Sequence, residues 1–405
     1  MADTLKPSKF NHFIKFNPQG DHVLYNAGTG SMVLINESSV ETVKSVITPT
    51  KKDQPTDPQN VIQTALSYGK FLIPNESDEV KQLGIDIKKY RTNTNKSLNV
   101  IIAPSMECNF GCVYCYESTE MKASTYRMSQ ETQDQIVSFV EEKLPLIPKL
   151  FIEWYGGEPL IGIDIIESLS KRFMNLAKKY NTPYSSRIVT NASLLTEEKM
   201  QKLIDYKVTQ MIVTLDGVKE IHDTRRILKG GQGTFNRIMK SIELAADHIN
   251  ITVRINVDTD TKRVDDLMAY IKEQPFAKKI TLYLADLHLK EEDTKSTANT
   301  GCGSACSTGS KTSLESLCLG GKPKECAEAL TVLDTAAKTY SLKNSLELSS
   351  LSPKGKSCTA TDVNGIIIGP HGEQYMCPRD IGDETLVIGH IKDFFSENKT
   401  YSKSY

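Results

Sequence analysis

Three cysteines fall inside one eight-residue window, Cys108, Cys112 and Cys115 in Met106-Glu-Cys-Asn-Phe-Gly-Cys-Val-Tyr-Cys-Tyr116. A cubic [4Fe–4S] cluster normally takes four thiolates, and the next cysteine in the chain is Cys302. The loop is therefore one ligand short, and an iron without a protein ligand is an iron that can hold a small molecule. The rival for such a window is a structural zinc knuckle or a set of unrelated buried thiols.

Four further segments carry groups suited to holding a ligand. In Glu153-Trp-Tyr-Gly-Gly-Glu-Pro159, Gly156 and Gly157 let the backbone come close to a bound molecule, and their carbonyls together with Glu158 can accept hydrogen bonds from an ammonium group. Val189-Thr-Asn-Ala-Ser193 places Asn191 after a strand, and Val213-Thr-Leu-Asp-Gly217 places the Thr214 hydroxyl near the end of another. His222-Asp-Thr-Arg-Arg226 offers two guanidinium groups, Arg225 and Arg226, of which Arg226 is the candidate partner for a carboxylate. In Arg254-Ile-Asn-Val-Asp258, Arg254 and Asn256 share one face of a strand, with a buried structural pair as the alternative to a ligand site.

The cysteine spacing, three residues and then two with an aromatic before the last Cys, resembles the signature loop of the radical S-adenosylmethionine (SAM) superfamily. The resemblance implies a [4Fe–4S] cluster held by Cys108, Cys112 and Cys115. Its open iron would be chelated by SAM, which one electron cleaves to a 5′-deoxyadenosyl radical. It also implies roles for the other segments. Gly156-Gly157-Glu158 resembles the motif that holds the SAM amino group. Asn191 would face the ribose, although Ala192 stands where glycine is usual. Thr214 keeps the hydroxyl of a Ser-x-Asp-Gly strand end, Arg226 would pair with the SAM carboxylate, and Tyr114 would flank the adenine or shield the cluster. Arg254 and Asn256 would line the barrel near SAM.

These groups need a frame. From residue 97 the pattern alternates between apolar strands (98–102, 150–154, 186–189, 210–215, 251–257 and 279–284) and helical segments (129–143, 163–180, 196–206, 234–248 and 263–273). Six such units imply α/β architecture, a parallel sheet with right-handed crossovers. The resemblance makes it a partial (β/α)6 barrel with reactive groups at the carboxyl ends of the strands. A domain over 95–286 is expected.

Before it, residues 1–94 contain two β-rich runs around a glycine turn in His22-Val-Leu-Tyr-Asn-Ala-Gly-Thr-Gly-Ser-Met-Val-Leu-Ile35, helical stretches over 38–47 and 61–68, a short strand over 69–74 and a charged linker over 75–90. This resembles the winged-helix leader-recognition domains fused to peptide-modifying radical SAM enzymes, in which a peptide adds a strand to a sheet edge. A structural cap on the barrel is the alternative. After the barrel, residues 287–405 hold Cys302, Cys306, Cys318, Cys326, Cys358 and Cys377. Cys358, a strand, Gly372 and Cys377 resemble the opening of the SPASM domain and so imply ligands of auxiliary [4Fe–4S] clusters. No Cys follows Cys377. Either this iron–sulfur module is truncated, the version favoured, or the four upstream thiols complete the site.

Bulk properties narrow the partners. Lys plus Arg number 49 against 50 for Asp plus Glu, a net charge of −1 that offers no general field for nucleic acid or anionic membrane. No run of about 18 apolar residues marks a membrane span, and the first residues lack a secretory pattern. A cytoplasmic protein is expected, and its nine cysteines point to metal ligands over disulfides. The functional expectation is a radical SAM/SPASM enzyme that abstracts hydrogen from a ribosomally made precursor peptide. The outcome would be a thioether, a carbon–carbon crosslink or an epimer, with flavodoxin or ferredoxin as electron donor. Alternatives are an anaerobic sulfatase-type protein maturase and a non-catalytic iron–sulfur peptide-binding protein.

Overall fold

The computed structural model describes residues 5–15, 20–47, 61–91, 97–115, 117, 126–257, 262–286, 343–344 and 364–394. The chain divides into two compact units: Met1–Thr92 with Ser349–Ser357, and Asn93–Leu348 with Cys358–Tyr405.

In the first unit, β1 (Leu5–Pro7) pairs antiparallel with β5 (Leu72–Pro74), and β2 (Asn11–Lys15), β3 (His22–Asn26) and β4 (Met32–Ile35) form an antiparallel sheet in that order. The expected hairpin is β3–β4; the third strand, β2, carries too few apolar residues to be read from sequence. Asn26 is nearly fully buried and fastens the turn: its amide donates to Ser8 Oγ, Asn11 Oδ1 and the Lys70 carbonyl, while its Oδ1 accepts from Gly28 N and Thr29 N. Helices α1 (Val40–Ile47) and α2 (Val61–Tyr68) supply Val43, Ile47 and Leu66 to a core with Leu24, Ile35, Phe71 and Leu72. The segment expected as a charged linker contains α3 (Glu79–Arg91). Its start is capped by Asp78, whose carboxylate accepts from Lys81 N at 3.0 Å, and its Glu, Lys and Gln residues are good helix formers.

In the second unit, β6 (Leu98–Ile102), β7 (Leu150–Trp154), β8 (Tyr184–Thr190), β9 (Val208–Leu215), β10 (Asn250–Val257) and β11 (Ile280–Asp286) pair in parallel in sequence order. Between them run α4 (Gln130–Lys143), α5 (Ile163–Lys179), α6 (Glu197–Asp205), α7 (Lys219–Arg225), α8 (Phe235–Ala245) and α9 (Lys262–Lys272). The expected α/β sheet is thus present. Beyond the expected elements are α7, too short to show a helical period, and the edge strands other than β13, the strand expected before Gly372. One edge gains the two-residue β12 (Lys343–Asn344). The other gains β13 (Gly365–Ile368), parallel to β6, followed by antiparallel β14 (Glu373–Tyr375) and β15 (Gly389–His390). Part of the segment expected as a separate C-terminal module therefore extends this sheet. Cys302, Cys306, Cys318, Cys326 and Cys358, and the polar stretch from Lys290, lie outside the described residues.

Period two along the strands gives the sheet two distinct faces. Ile152, Ile188, Val213, Val253, Ile255 and Leu282 are fully buried against the helices in one apolar core. On the opposite face, Ile101, Glu153 and Arg187 lie side by side across β6–β8, and Thr214, Arg254 and Tyr283 across β9–β11. A polar face on a parallel sheet, which usually buries both faces in apolar side chains, marks the side available for chemistry. Among the described residues no helix is long and apolar enough to cross a membrane.

Candidate active site

The cysteine loop leaves β6 at the carboxyl end of the sheet and is fastened from two sides. On the β7 side, Gly157 N donates to Ser105 O at 3.3 Å and Glu158 N to Glu107 O at 2.7 Å. Gly156 has φ +114°, and a Cβ there would stand 2.3 Å from Ser105 O; on Gly157 it would stand 2.3 Å from Met106 O and 2.5 Å from Glu107 O. The two glycines thus allow close approach of β7's end to the backbone just before Cys108. On the other side, Gly111 N donates to Ile227 O, Val113 N to Arg225 O, and Lys229 N to Asn109 O, so the segment after α7 is stitched along the loop.

Glu158 is fully buried. Its Oε1 accepts from Leu160 N at 2.9 Å and Thr190 Oγ1 at 2.6 Å, and its Oε2 from Asn191 N at 2.7 Å. Burial raises its pKa, and these three donors oppose that rise. Sequence reasoning expected this carboxylate to meet a ligand's ammonium group; in the fold it bridges the ends of β7 and β8. Asn191 is nearly buried as well. Its amide donates to Asn109 Oδ1 at 2.9 Å, and its Oδ1 accepts from Ser193 N and Oγ. Ala192 adopts φ +59°, the left-handed conformation for which glycine is usual.

The ends of β9 and β10 meet the loop through a second network. The Tyr114 hydroxyl donates to Asp216 Oδ2 and accepts from Arg226 Nη1 at 2.8 Å and Asn256 Nδ2 at 3.1 Å, which fills its one donor and two acceptor positions. Asn256 Nδ2 also donates to Asp216 Oδ1 at 3.1 Å, and Arg254 Nε donates to Asn256 Oδ1 at 3.0 Å. Arg225 stands 3.6 Å from Asp216 Oδ2 with its guanidinium over the Tyr114 ring. Arg225 thus faces this fully buried carboxylate directly, while Arg226 and Arg254 reach it through Tyr114 and Asn256. Burial raises the Tyr114 pKa, so the phenol stays protonated and keeps its role as donor. Behind Asp216, buried His222 accepts at Nδ1 from Asp216 N at 3.3 Å, which places the imidazole proton on Nε2, 3.0 Å from Thr234 Oγ1. Burial, with Arg226 nearby, lowers the His222 pKa to about 4, so it is neutral.

The structure brings Tyr114, Arg226, Arg254 and Asn256 together, while Thr214 lies beside Arg254 on the adjacent strand. Asp216, the centre of that network, was not singled out in the sequence although it lies inside the Asp-Gly strand end. Also unanticipated are Asn109 and the buried Glu153–Arg187 pair (Nε to Oε2 3.1 Å). No spacing rule connects two residues 34 positions apart on adjacent strands.

Burial pushes the Cys108 thiol up to about 12. All three cysteines are partly exposed as residues, and none is in a disulfide. Among the described residues no three His, Cys, Asp or Glu side chains converge on a single metal position. A cubic cluster spreads three thiolates over three separate irons, so that pattern is not required of its ligands.

The model of the radical SAM superfamily matches residues 102–271. The cysteine-type anaerobic sulfatase-maturating enzyme of Clostridium novyi (strain NT) is 33% identical over 200 residues, 45% of this chain and 50% of that protein. The radical SAM cyclopropyl synthase TigE of Paramaledivibacter caminithermalis is 25% identical over 195 residues, 44% and 40% of the two chains. Native anSMEcpe with bound AdoMet shares the fold at a TM-score of 0.57 and 21% identity, over 73% of this chain and 78% of that one. The chain spans about half the length of the curated relatives it matches.

A radical SAM domain uses a [4Fe–4S] cluster and SAM, and the residues present fit that pair. The three thiols share one loop, and buried Arg226 Nε has no hydrogen-bond partner among the described residues, as expected of a guanidinium shaped for an anionic group. Fold, strand-end chemistry and sequence match coincide on the same stretch of chain, and residues 102–271 are a radical SAM domain.

Proposed function

We propose that this chain is a radical SAM enzyme that modifies a ribosomally made precursor peptide. Cys108, Cys112 and Cys115 would hold the cluster. Arg226 would take the SAM carboxylate, the Gly156 and Gly157 carbonyls its amino group, and Asn191, Thr214, Arg254 and Asn256 would line the rest of the site. When bound, cluster and SAM supply a 5′-deoxyadenosyl radical that removes hydrogen from substrate. The protein's own part is to orient these groups, exclude water and fix which substrate atom is presented. The observation that carries this reading is the cationic strand-end network abutting a loop with three thiols. The polar sheet face with Thr214, Arg254 and Tyr283 would receive the substrate residue.

Residues 1–94 would recognise a leader peptide by strand addition. In support, β4 is an edge strand of its sheet, with Met32 57% and Leu34 59% exposed. Residues 287–405 would carry auxiliary clusters, with Cys358 and Cys377 as ligands, and flavodoxin or ferredoxin would deliver electrons. A second reading, oxidation of one Cys or Ser side chain in a protein, is supported by the sulfatase-maturating relatives. Mass spectrometry of a peptide encoded beside the gene, treated anaerobically with enzyme, SAM and reductant, separates them. Loss of two hydrogens with a new crosslink, or solvent deuterium at an α-carbon, supports the peptide reading. An unchanged peptide alongside an oxidised Cys or Ser in a sulfatase-derived substrate supports the second. Glu at Met32 and Leu34 should weaken peptide binding and leave SAM cleavage without peptide unchanged.

A further inference from the structure

Tyr114 lies between Cys112 and Cys115, and its ring alone would suffice to pack against a ligand. Its hydroxyl does something a phenylalanine could not. It sits at the junction of four segments: the cysteine loop, the end of β9 through Asp216, the end of β10 through Asn256, and the residue after α7, Arg226. Every hydrogen-bonding position of that oxygen is filled, and Asp216, its acceptor, is fully buried and held from both sides, at Oδ1 by Asn256 and through its backbone N–H by His222. The phenol is therefore fixed in direction.

Arg226 is the member of the network with capacity left over. One Nη is held by the phenol oxygen, the guanidinium lies over the Phe110 ring at 5.7 Å, and Nε is buried without a hydrogen-bond partner among the described residues. A buried N–H left without an acceptor costs on the order of 1 kcal/mol or more, so this one is a donor that a bound carboxylate would satisfy. A planar fork needs a fixed orientation to meet a carboxylate with two parallel N–H groups, and the contact that fixes it is the Tyr114 hydroxyl.

We propose that Tyr114 is a positioning residue whose hydroxyl, aimed by Asp216 and Asn256, orients the Arg226 guanidinium to receive the carboxylate of SAM. This rests on the assignment of Arg226 to SAM made above, and it separates the hydroxyl's role from any contact made by the ring.

The test compares anaerobically reconstituted full-length wild type with Tyr114→Phe, Arg226→Lys and the double variant, measuring iron per chain and SAM Kd by equilibrium dialysis. Tyr114→Phe should retain wild-type iron content and bind SAM about tenfold more weakly, the scale of one charge-assisted hydrogen bond. In the Arg226→Lys background the same change should add less than about twofold, because the group being oriented is gone. Wild-type SAM affinity in Tyr114→Phe would overturn the proposal, as would a loss of iron with SAM affinity per cluster unchanged, which would make the hydroxyl a fastening of the loop only. If Tyr114→Phe does not fold, Asp216→Asn is judged by the same two outcomes. Wild-type protein that takes up iron yet binds no SAM would instead remove the assignment on which the proposal rests.

Discussion

On the β7–β8 side of the strand ends, one carboxylate, Glu158, accepts three protein donors and has no exposure. On the β9–β10 side, Asp216 stands 3.6 Å from Arg225 and is linked through Tyr114 to Arg226 and through Asn256 to Arg254, and Arg226 keeps a buried N–H without a partner among the described residues. Both sides belong to motifs that could be quoted from the sequence, but they do different work. The Glu158 carboxylate is taken up by protein donors, and the glycines beside it hold the cysteine loop by close approach and backbone hydrogen bonds. The arginine side is the one proposed to meet the SAM carboxylate.

The difference predicts that variants will sort by what they damage. The largest effect on stability belongs to Gly157→Ala, whose Cβ would press on the carbonyls of Met106 and Glu107. A cost of about 3 kcal/mol in denaturant unfolding is expected, with loss of iron uptake because the cysteine loop is displaced. A neutral result would show that the loop is not held there.

A comparable magnitude comes from pH. The folded-state pKa of His222, about 4, lies below its unfolded value of 6.5, so the unfolded chain binds the proton first as pH falls. Its contribution is fully present above pH 6.5 and is lost toward pH 4, on the order of 3 kcal/mol from the two pKa values at 1.36 kcal/mol per unit. Unfolding of wild type and His222→Gln across that range should show the variant with the flatter profile. Parallel profiles would contradict a neutral His222 behind Asp216.

Glu158→Gln should cost about 2 kcal/mol, since an amide turns one acceptor into a donor facing buried donors, while folded protein keeps its SAM affinity. Arg226→Lys should do the opposite, leaving the melting temperature within a few degrees of wild type and raising the SAM Kd by roughly tenfold. Weakened SAM binding by folded Glu158→Gln would erase the distinction between the two sides. Ala192→Gly is the smallest: relief of the left-handed conformation is offset by added unfolded-state freedom, for a change within about 0.5 kcal/mol.

Sequence showed the parallel sheet well because β6 to β11 carry apolar runs whose period and spacing are local properties. It showed the cysteine loop for the same reason. What escaped it was set by distant partners. β13 is a short apolar run with no local sign that it pairs with β6, more than 260 residues earlier in the chain. Tyr114 and Asp216 are 102 positions apart. Glu158 was legible as a polar group at a strand end, but nothing in Gly-Gly-Glu-Pro says that Thr190 and Asn191 will donate to its carboxylate. α3 reads as a linker because its charges are dense and its apolar residues sparse; the Asp78 cap is the available signal of a helix.

The most direct measurement is 5′-deoxyadenosine released by anaerobically reconstituted protein given SAM and a strong reductant, for wild type and for the variant with Cys108, Cys112 and Cys115 all changed to Ala. Wild type should bind a [4Fe–4S] cluster and form 5′-deoxyadenosine, and the variant should do neither. Formation at the wild-type rate by the variant, or a wild type that takes up iron and never cleaves SAM, would contradict the assignment of this loop as the seat of the chemistry.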